Sequence, residues 1–308
     1  MLRMSKHTAT IASLISLFFV SGSSAADTQK APNSLRVATW NVEHLAYPID
    51  RGCRPRTEQE IADMKAYADN LHADIVGLQE VGSKEAVNLL FPERDWHIVM
   101  STRKDNEPFE CRDNGNPSTQ QKVAFAVRKD LSLDSVKGLA DFGLEREGLR
   151  YGLQIQVSDN SNQYTLLNVH LKSGCFVDNY SRSDRESCET FAKQAPILDQ
   201  WIDDQEATGK PYMILGDFNH RLTAPYNHLT RQILRDDNGN RNSLINTHAE
   251  TIGCHPYYPA PIDLIFAGNM PETVWSFKPM VATFKNMEVD AMLSDHCAIV
   301  TEFAQSAL

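Results

Sequence analysis

The sequence predicts a layered α/β fold, on two observations. Short apolar runs of strand length alternate with stretches whose apolar residues recur at helical spacing. No repeat, low-complexity tract or Pro/Ser-rich linker interrupts residues 34–305, so a single domain is expected over 26–308. With 308 residues, 42% of them hydrophobic, the chain can bury a sizeable core. Strands are expected at Leu35–Trp40, Ile75–Leu78, Trp96–Met100, Val123–Val127, Gly152–Val157, Tyr164–His170, Tyr212–Leu215, Ile262–Phe266 and Cys297–Phe303. A helix is expected from Thr57, because Thr57 and Glu60 form a T-x-x-E capping box; Ile61, Met64, Ala68 and Leu71 follow at helical spacing. A second is expected over Glu189–Asp204, with Phe191, Ala195, Leu198 and Trp201 on one face, and a third over Tyr226–Leu234.

Residues 1–25 read as a secretory signal: basic Arg3 and Lys6, an apolar run Ile11–Val20, and small residues Ser23-Ser24-Ala25 before the expected cleavage. That run is about half of the ~20 residues that cross a bilayer. No later run has membrane length, so a secreted or periplasmic monomer without stable membrane insertion is expected. An oxidising compartment permits disulfides among the six cysteines. Cys175–Cys188 would close a polar loop, and Cys53–Cys111 would join two loop-like segments. Cys297, inside an apolar run, reads as a buried thiol, and no CxxC or CxxH spacing supports zinc. The formal charge of −10 opposes coating DNA by charge alone, and loss of Arg3 and Lys6 with the leader makes it more acidic.

The pattern that carries chemistry is where acids, amides and histidines fall. Apolar strands run into Asn41 and Glu43, into Glu80, into His170, and into Asp217 and Asn219. Asp263 is embedded in Pro261-Ile262-Asp263-Leu264-Ile265-Phe266, and Leu293-Ser294 precedes Asp295-His296. A buried carboxylate costs several kcal/mol unless paired or metal-bound, and six such sites together are not explained by turn capping. Oxygen donors without clustered thiols suit Mg²⁺ or Mn²⁺, with Ca²⁺ as an alternative structural ion. A metal, oriented imidazoles and Asn donors together suit hydrolysis of a phosphate ester.

The motifs Thr39-Trp40-Asn41, Leu78-Gln79-Glu80-Val81, Asn168-Val169-His170-Leu171, Gly216-Asp217-Phe218-Asn219, Ile262-Asp263-Leu264-Ile265 and Ser294-Asp295-His296 occur in this order. The set resembles the endonuclease/exonuclease/phosphatase superfamily of DNase I-like hydrolases. The resemblance implies a four-layer sandwich of two mixed sheets flanked by helices, with the site at one edge. It makes Glu80 the main metal ligand with Asn41 beside it, and His296 the general base oriented by Asp263. Asp295 would complete the metal and base environment. Asp217 and Asn219 would position the nucleophile, and His170 would bond a phosphate oxygen or assist the leaving group.

Arg150 resembles the phosphate-binding arginine of the DNase-like branch, and Lys172 is a second candidate for phosphate; for each, a solvent-facing role is the alternative. The loop arginines Arg51, Arg54 and Arg56 read either as a solvated loop or as part of the rim. One departure is Gln121, standing where the resemblance expects an acid that orients His170; an amide would leave His170 harder to protonate. Among substrates, nucleic acid leads, because the Trp and Arg of the inositol-phosphatase signature are missing around Tyr257–Asp263 and the inserts Lys104–Gln121 and Asp236–Asn242 are polar. A phospholipid or small phosphoester is the alternative, and an inactive binding protein or toxin subunit a further one.

Overall fold

The computed structural model describes residue 30 and residues 34–159, 162–270 and 277–304; the signal read at residues 1–25 lies outside them. Twelve strands make two six-stranded sheets among these residues. The first contains β1 (Ser34–Leu45), β2 (Ile75–Val81), β3 (Trp96–Met100), β4 (Lys122–Arg128), β11 (Phe277–Ala282) and β12 (Ala298–Ala304), in the order β11-β12-β1-β2-β4-β3. The second contains β5 (Ser132–Leu139), β6 (Gly152–Ser158), β7 (Gln163–His170), β8 (Tyr212–Asp217), β9 (Ile245–Asn246) and β10 (Asp263–Gly268), in the order β5-β6-β7-β8-β10-β9. Both sheets are mixed: β1 runs parallel to β2 and β7 parallel to β8, and the other pairings are antiparallel.

Alternation along the central strands explains the four layers. Val37, Ile75, Phe125, Ile155, Leu215 and Ile299 pack between the sheets. Their neighbours Trp40, Val76 and Leu78 face outward against Met64, Ala68 and Leu71 of the α1 (Glu58–Asn70) region and Val87 of α2 (Lys84–Leu90). On the far face Leu167, Ile214 and Phe266 meet Phe191, Leu198 and Trp201 of α3 (Glu186–Thr208) and Leu229 of α4 (His228–Ile233). Central strands covered on both faces are buried at nearly every position, and β8 accordingly opens with the unbroken apolar run Tyr212-Met213-Ile214-Leu215, whereas β1 also buries the polar Arg36, Thr39 and Asn41.

The expected capping box is present: Thr57 Oγ1 accepts from the Glu60 N–H, and Glu60 answers to the Thr57 N–H at 2.8 Å. All nine expected strands form, within a few residues of their expected limits. β5, α2 and β11 were not expected, nor was the two-residue β9. A buried amide pair ties the sheets together beneath the site: Gln79 Nε2 donates to Asn168 Oδ1 at 2.7 Å, and Asn168 Nδ2 to the carbonyls of Leu78 and Ala124. Among the described residues no helix is long and apolar enough to cross a membrane.

All six cysteines are bridged, as Cys53–Cys111, Cys175–Cys188 and Cys254–Cys297. The first two pairs are those expected. Cys297 corrects the reading of a free thiol: it is buried, but the polar segment carrying Cys254 folds back onto the start of β12.

Candidate active site

The strand ends converge because register brings them together. Asn41 pairs with Gln79 across β1 and β2, His170 with Asp217 across β7 and β8, and Asp217 with Asp263 across β8 and β10. Gly216 makes the approach of β7 and β8 feasible: its φ is +142°, and a Cβ there would lie 2.0 Å from the Val169 carbonyl oxygen. Irregularities in pairing fall between Asn41 and Leu45 and between Leu78 and Val81, which re-aim the intervening side chains. Glu43, His44, Glu80 and Asn219 all hold positive φ, from 47° to 60°, costing about 1–3 kcal/mol each.

One half of the site is a histidine braced by acids. His296 Nδ1 bonds Asp263 Oδ2 at 2.6 Å, and its Nε2 lies 4.0 Å from Asp217 Oδ2 and 3.8 Å from Asp295 Oδ1. The backbone here is pinned by side chains of the first motif and the last: Trp40 Nε1 donates to the His296 carbonyl, Ser294 Oγ to the Asn41 carbonyl, and the His296 N–H to Ser294 Oγ. Burial opposes protonation of His296, but Asp263, Asp217 and Asp295 outweigh it and hold the imidazole well above its ordinary range. Asp217 is pushed up by burial and by Asp263, against the pull of His296 and the hydrogen bonds from the Asn219 N–H and Asn41 Nδ2.

The other half centres on Glu80. Its Oε2 accepts from Gln121 Nε2 at 2.9 Å and the His44 N–H at 3.3 Å; its Oε1 is 3.9 Å from His170 Nε2. Burial would raise Glu80, but neighbouring cationic groups bring it down to about 2. His170 is itself held well below its ordinary range by burial and by Arg150, so the positive charges that keep Glu80 low are those of Arg150 and His296. His170 is almost fully buried, its Nε2 3.5 Å from Asp217 Oδ2, which joins the two halves.

Gln121 corrects the sequence reading of an amide that orients His170. Gln121 Oε1 instead accepts from Arg150 at 2.7 Å, while its Nε2 faces Glu80 and His44 Nε2. His170 Nδ1 has no hydrogen-bond partner among the described residues; its low proton affinity follows from burial and Arg150, not from an amide.

Arg150 thus sits inside the site, whereas Lys172 turns its ammonium to the Ser173 carbonyl at the surface. Asp295 is mostly exposed and borders His296 from outside, its N–H donating to Glu43 Oε2. Asn219 Nδ2 holds the Leu171 carbonyl, which leaves one amide hydrogen for a ligand. Arg56 is buried, donating to the carbonyls of Leu293, Val42 and Glu43, whereas Arg51 is exposed.

Two groups of donors suit a cation. Glu80 Oε1 offers a hard oxygen, with Asn41 Oδ1 already accepting from the Glu43 N–H, and Asp217, Asp263 and His296 each place one donor atom within 4.8 Å of the others. In the second group Asp263 Oδ2 and both oxygens of Asp217 already accept hydrogen bonds. Glu80 is the better fit: an ionised carboxylate with one oxygen free of short hydrogen bonds and no thiolate nearby.

The model of the Endonuclease/Exonuclease/phosphatase family matches residues 38–296. The chain belongs to this family. Its members are phosphoester hydrolases that use divalent metals. Among solved structures, truncated TDP2 from Caenorhabditis elegans is 17% identical with a TM-score of 0.57, over 88% of this chain and 97% of that one. The human Nocturnin catalytic domain with bound sulfate anion is 14% identical with a TM-score of 0.61, over 89% and 94%. A family protein from Bacteroides vulgatus is 15% identical with a TM-score of 0.59, over 89% and 100%. Among curated proteins, none matches the sequence.

Sequence reasoning missed His44 and Ser294. Ser294 was in view only as a neighbour of Asp295, and His44, three residues after Asn41, would point to the opposite face of a regular strand; the left-handed backbone at Glu43 and His44 changes that.

Proposed function

We propose that this chain is an exported, single-domain, divalent-metal-dependent phosphodiesterase whose substrate is nucleic acid. The observation that carries the chemistry is the 2.6 Å bond from His296 Nδ1 to Asp263, which leaves Nε2 directed toward Asp217, 4.0 Å from its Oδ2. Asp263 fixes the ring, so in the neutral imidazole Nε2 is the atom that takes a proton from the attacking water, giving the imidazolium that Asp263 and Asp217 stabilise. Asn41 and Asn219 hold Asp217 in place by hydrogen bonds, and Asp217 aligns the water. Arg150 and His170, held neutral, offer N–H groups to phosphate oxygens on the opposite side. A Mg²⁺ or Mn²⁺ ion at Glu80 and Asn41 would neutralise charge developing on phosphorus.

The substrate assignment draws support from zebrafish (D. rerio) TDP2, 17% identical with a TM-score of 0.58, whose structure is complexed with single-strand DNA product. Three disulfides support export to an oxidising compartment. A second reading, a small phosphoester or phospholipid headgroup, is favoured by the charge of −10, which opposes a long polyanion.

The test is Mg²⁺-dependent hydrolysis of single-stranded DNA, duplex DNA, RNA, sphingomyelin and bis-p-nitrophenyl phosphate by wild type and His296→Ala. Nucleic-acid hydrolysis lost on adding EDTA and in the variant is expected. Turnover of only sphingomyelin would move the substrate to the second reading, and no metal-dependent turnover would end the hydrolase reading.

A further inference from the structure

The nine residues from Cys254 to Ile262 begin and end at His296. Cys254 is bridged to Cys297, the residue after His296, and Ile262 precedes Asp263, which bonds the imidazole. Between these anchors the chain is closed by the Gly253 N–H on the Pro259 carbonyl at 2.8 Å and the Tyr258 N–H on the His255 carbonyl at 3.1 Å. Pro256, Pro259 and Pro261 restrict the backbone further. This rigid loop presents Tyr257 and Tyr258, each 72% exposed. The His255 ring lies 4.9 Å from Tyr258 at 38° and 5.9 Å from Tyr257 at 58°, so the three rings form an aromatic cluster on a loop anchored at both ends next to His296 and its partner Asp263. The fold does not need that exposure, and no packing inside the protein accounts for it.

We propose that this loop is a stacking subsite, in which an unpaired nucleobase lies on the Tyr257–Tyr258 face while its phosphate sits at His296; the inference rests on the nuclease reading above. Stacking suits a ligand with a flat π-face and tolerates every base, and a pre-ordered loop loses little entropy on binding. A quaternary ammonium headgroup needs rings arranged around a space. Here the His255 and Tyr258 rings lie in tilted contact with each other rather than around a space. A lipid surface would call for basic residues beside the apolar ones to meet its headgroups, and residues 252–262 contain neither Lys nor Arg. Ile252, 70% exposed, is the one large aliphatic side chain exposed there, and a lipid contact through it is an outcome the test below separates. Tyr47, Phe176 and Tyr226, also exposed, lie in the segments that leave β1, β7 and β8 at the site end, where further bases of a strand would pass.

The test compares wild type, Tyr257→Ala/Tyr258→Ala and Tyr257→Phe/Tyr258→Phe on a short oligothymidylate, on an abasic oligomer with the same backbone and on sphingomyelin vesicles. Binding is read by fluorescence anisotropy in EDTA, and turnover with Mg²⁺. The Ala pair is expected to weaken oligothymidylate binding and raise its KM by about tenfold. It should leave the abasic oligomer unchanged, and the Phe pair should restore wild-type behaviour. Equal binding and turnover by the Ala pair would overturn the subsite. So would an equal loss on the abasic oligomer, which would mark the loop as a support for His296, or a loss confined to sphingomyelin vesicles. If wild type binds oligothymidylate through these tyrosines but hydrolyses no ester, the subsite stands and the hydrolase reading falls. If it hydrolyses the abasic oligomer without preferring bases, the hydrolase reading stands and the subsite falls.

Discussion

The two ends of β1 carry buried charge of opposite kinds. At one end Arg36, Asp74 and Glu302 are buried, and their charges are matched within the protein. Arg36 bonds Glu302 through Nε and Nη2 and the Leu71 carbonyl through Nη1, and its N–H donates to Asp74 Oδ2 at 2.7 Å. Lys30 takes the other oxygen of Asp74. At the far end, five residues on, Asn41 opens onto a cluster in which Nδ1 of His44 and of His170, Nε of Arg150 and Oδ1 of Asp263 have no partner among the described residues. Leaving such atoms unpaired costs about 1–3 kcal/mol each, and four non-glycine residues at positive φ add strain at the same place. A fold that completes one charge cluster and leaves the other open keeps the second for a ligand. The difference separates a brace from a site without reference to any relative.

That contrast can be broken by exchange of effects. His296→Ala should lower kcat/KM on a phosphodiester by about a thousandfold while the unfolding midpoint in urea stays near wild type. Arg36→Ala should do the reverse: about 3–5 kcal/mol of stability lost, since Glu302 is left buried and uncompensated, with kcat/KM per folded molecule unchanged. A large activity loss in folded Arg36→Ala would erase the distinction between the two ends.

Asp263→Asn should lower kcat/KM by about a hundredfold and move its acid limb. Asp263 is the largest of the influences that raise His296 against burial. Removing its charge lets the imidazole lose its proton at lower pH, so the ascending limb of the pH–rate profile shifts to lower pH. A limb that stays in place would mean another group titrates in it.

The smallest effect lies far from either cluster. Thr57→Ala should cost about 1 kcal/mol in urea unfolding. Burial opposes ionisation of Glu60, but the hydrogen bonds from the Thr57 N–H and hydroxyl, with Arg56 and Arg54, together outweigh it and hold the carboxyl below its ordinary value. The stabilisation is therefore present above the unfolded-state pKa of Glu60 and fades as pH falls through the folded one, so the difference between wild type and variant should shrink in acid.

Much of this was legible in the sequence because strand-end acids follow apolar runs directly, and register then has only one way to gather them. Asn41, Glu80, His170, Asp217, Asp263 and His296 come together for that reason. What escaped depends on features without a local signature. β5 is an edge strand with mostly exposed side chains, so Ser132–Leu139 shows no apolar alternation. His44 enters through a left-handed step, and Gln121 was assigned to the wrong neighbour because only the fold shows Arg150 lying against it. Arg56 looks like a solvated loop arginine until three backbone carbonyls close around it. Cys254 pairs across 43 residues, a distance along the chain that spacing cannot interpret.

The central claim is that the open end of β1 holds a cation at Glu80. Calorimetric titration of Mn²⁺ into wild type, Glu80→Gln and Asp263→Asn tests it most directly. One saturable site is expected in wild type and in Asp263→Asn, abolished in Glu80→Gln. Binding that survives in Glu80→Gln and disappears in Asp263→Asn would contradict it and place the ion among Asp217, Asp263 and His296.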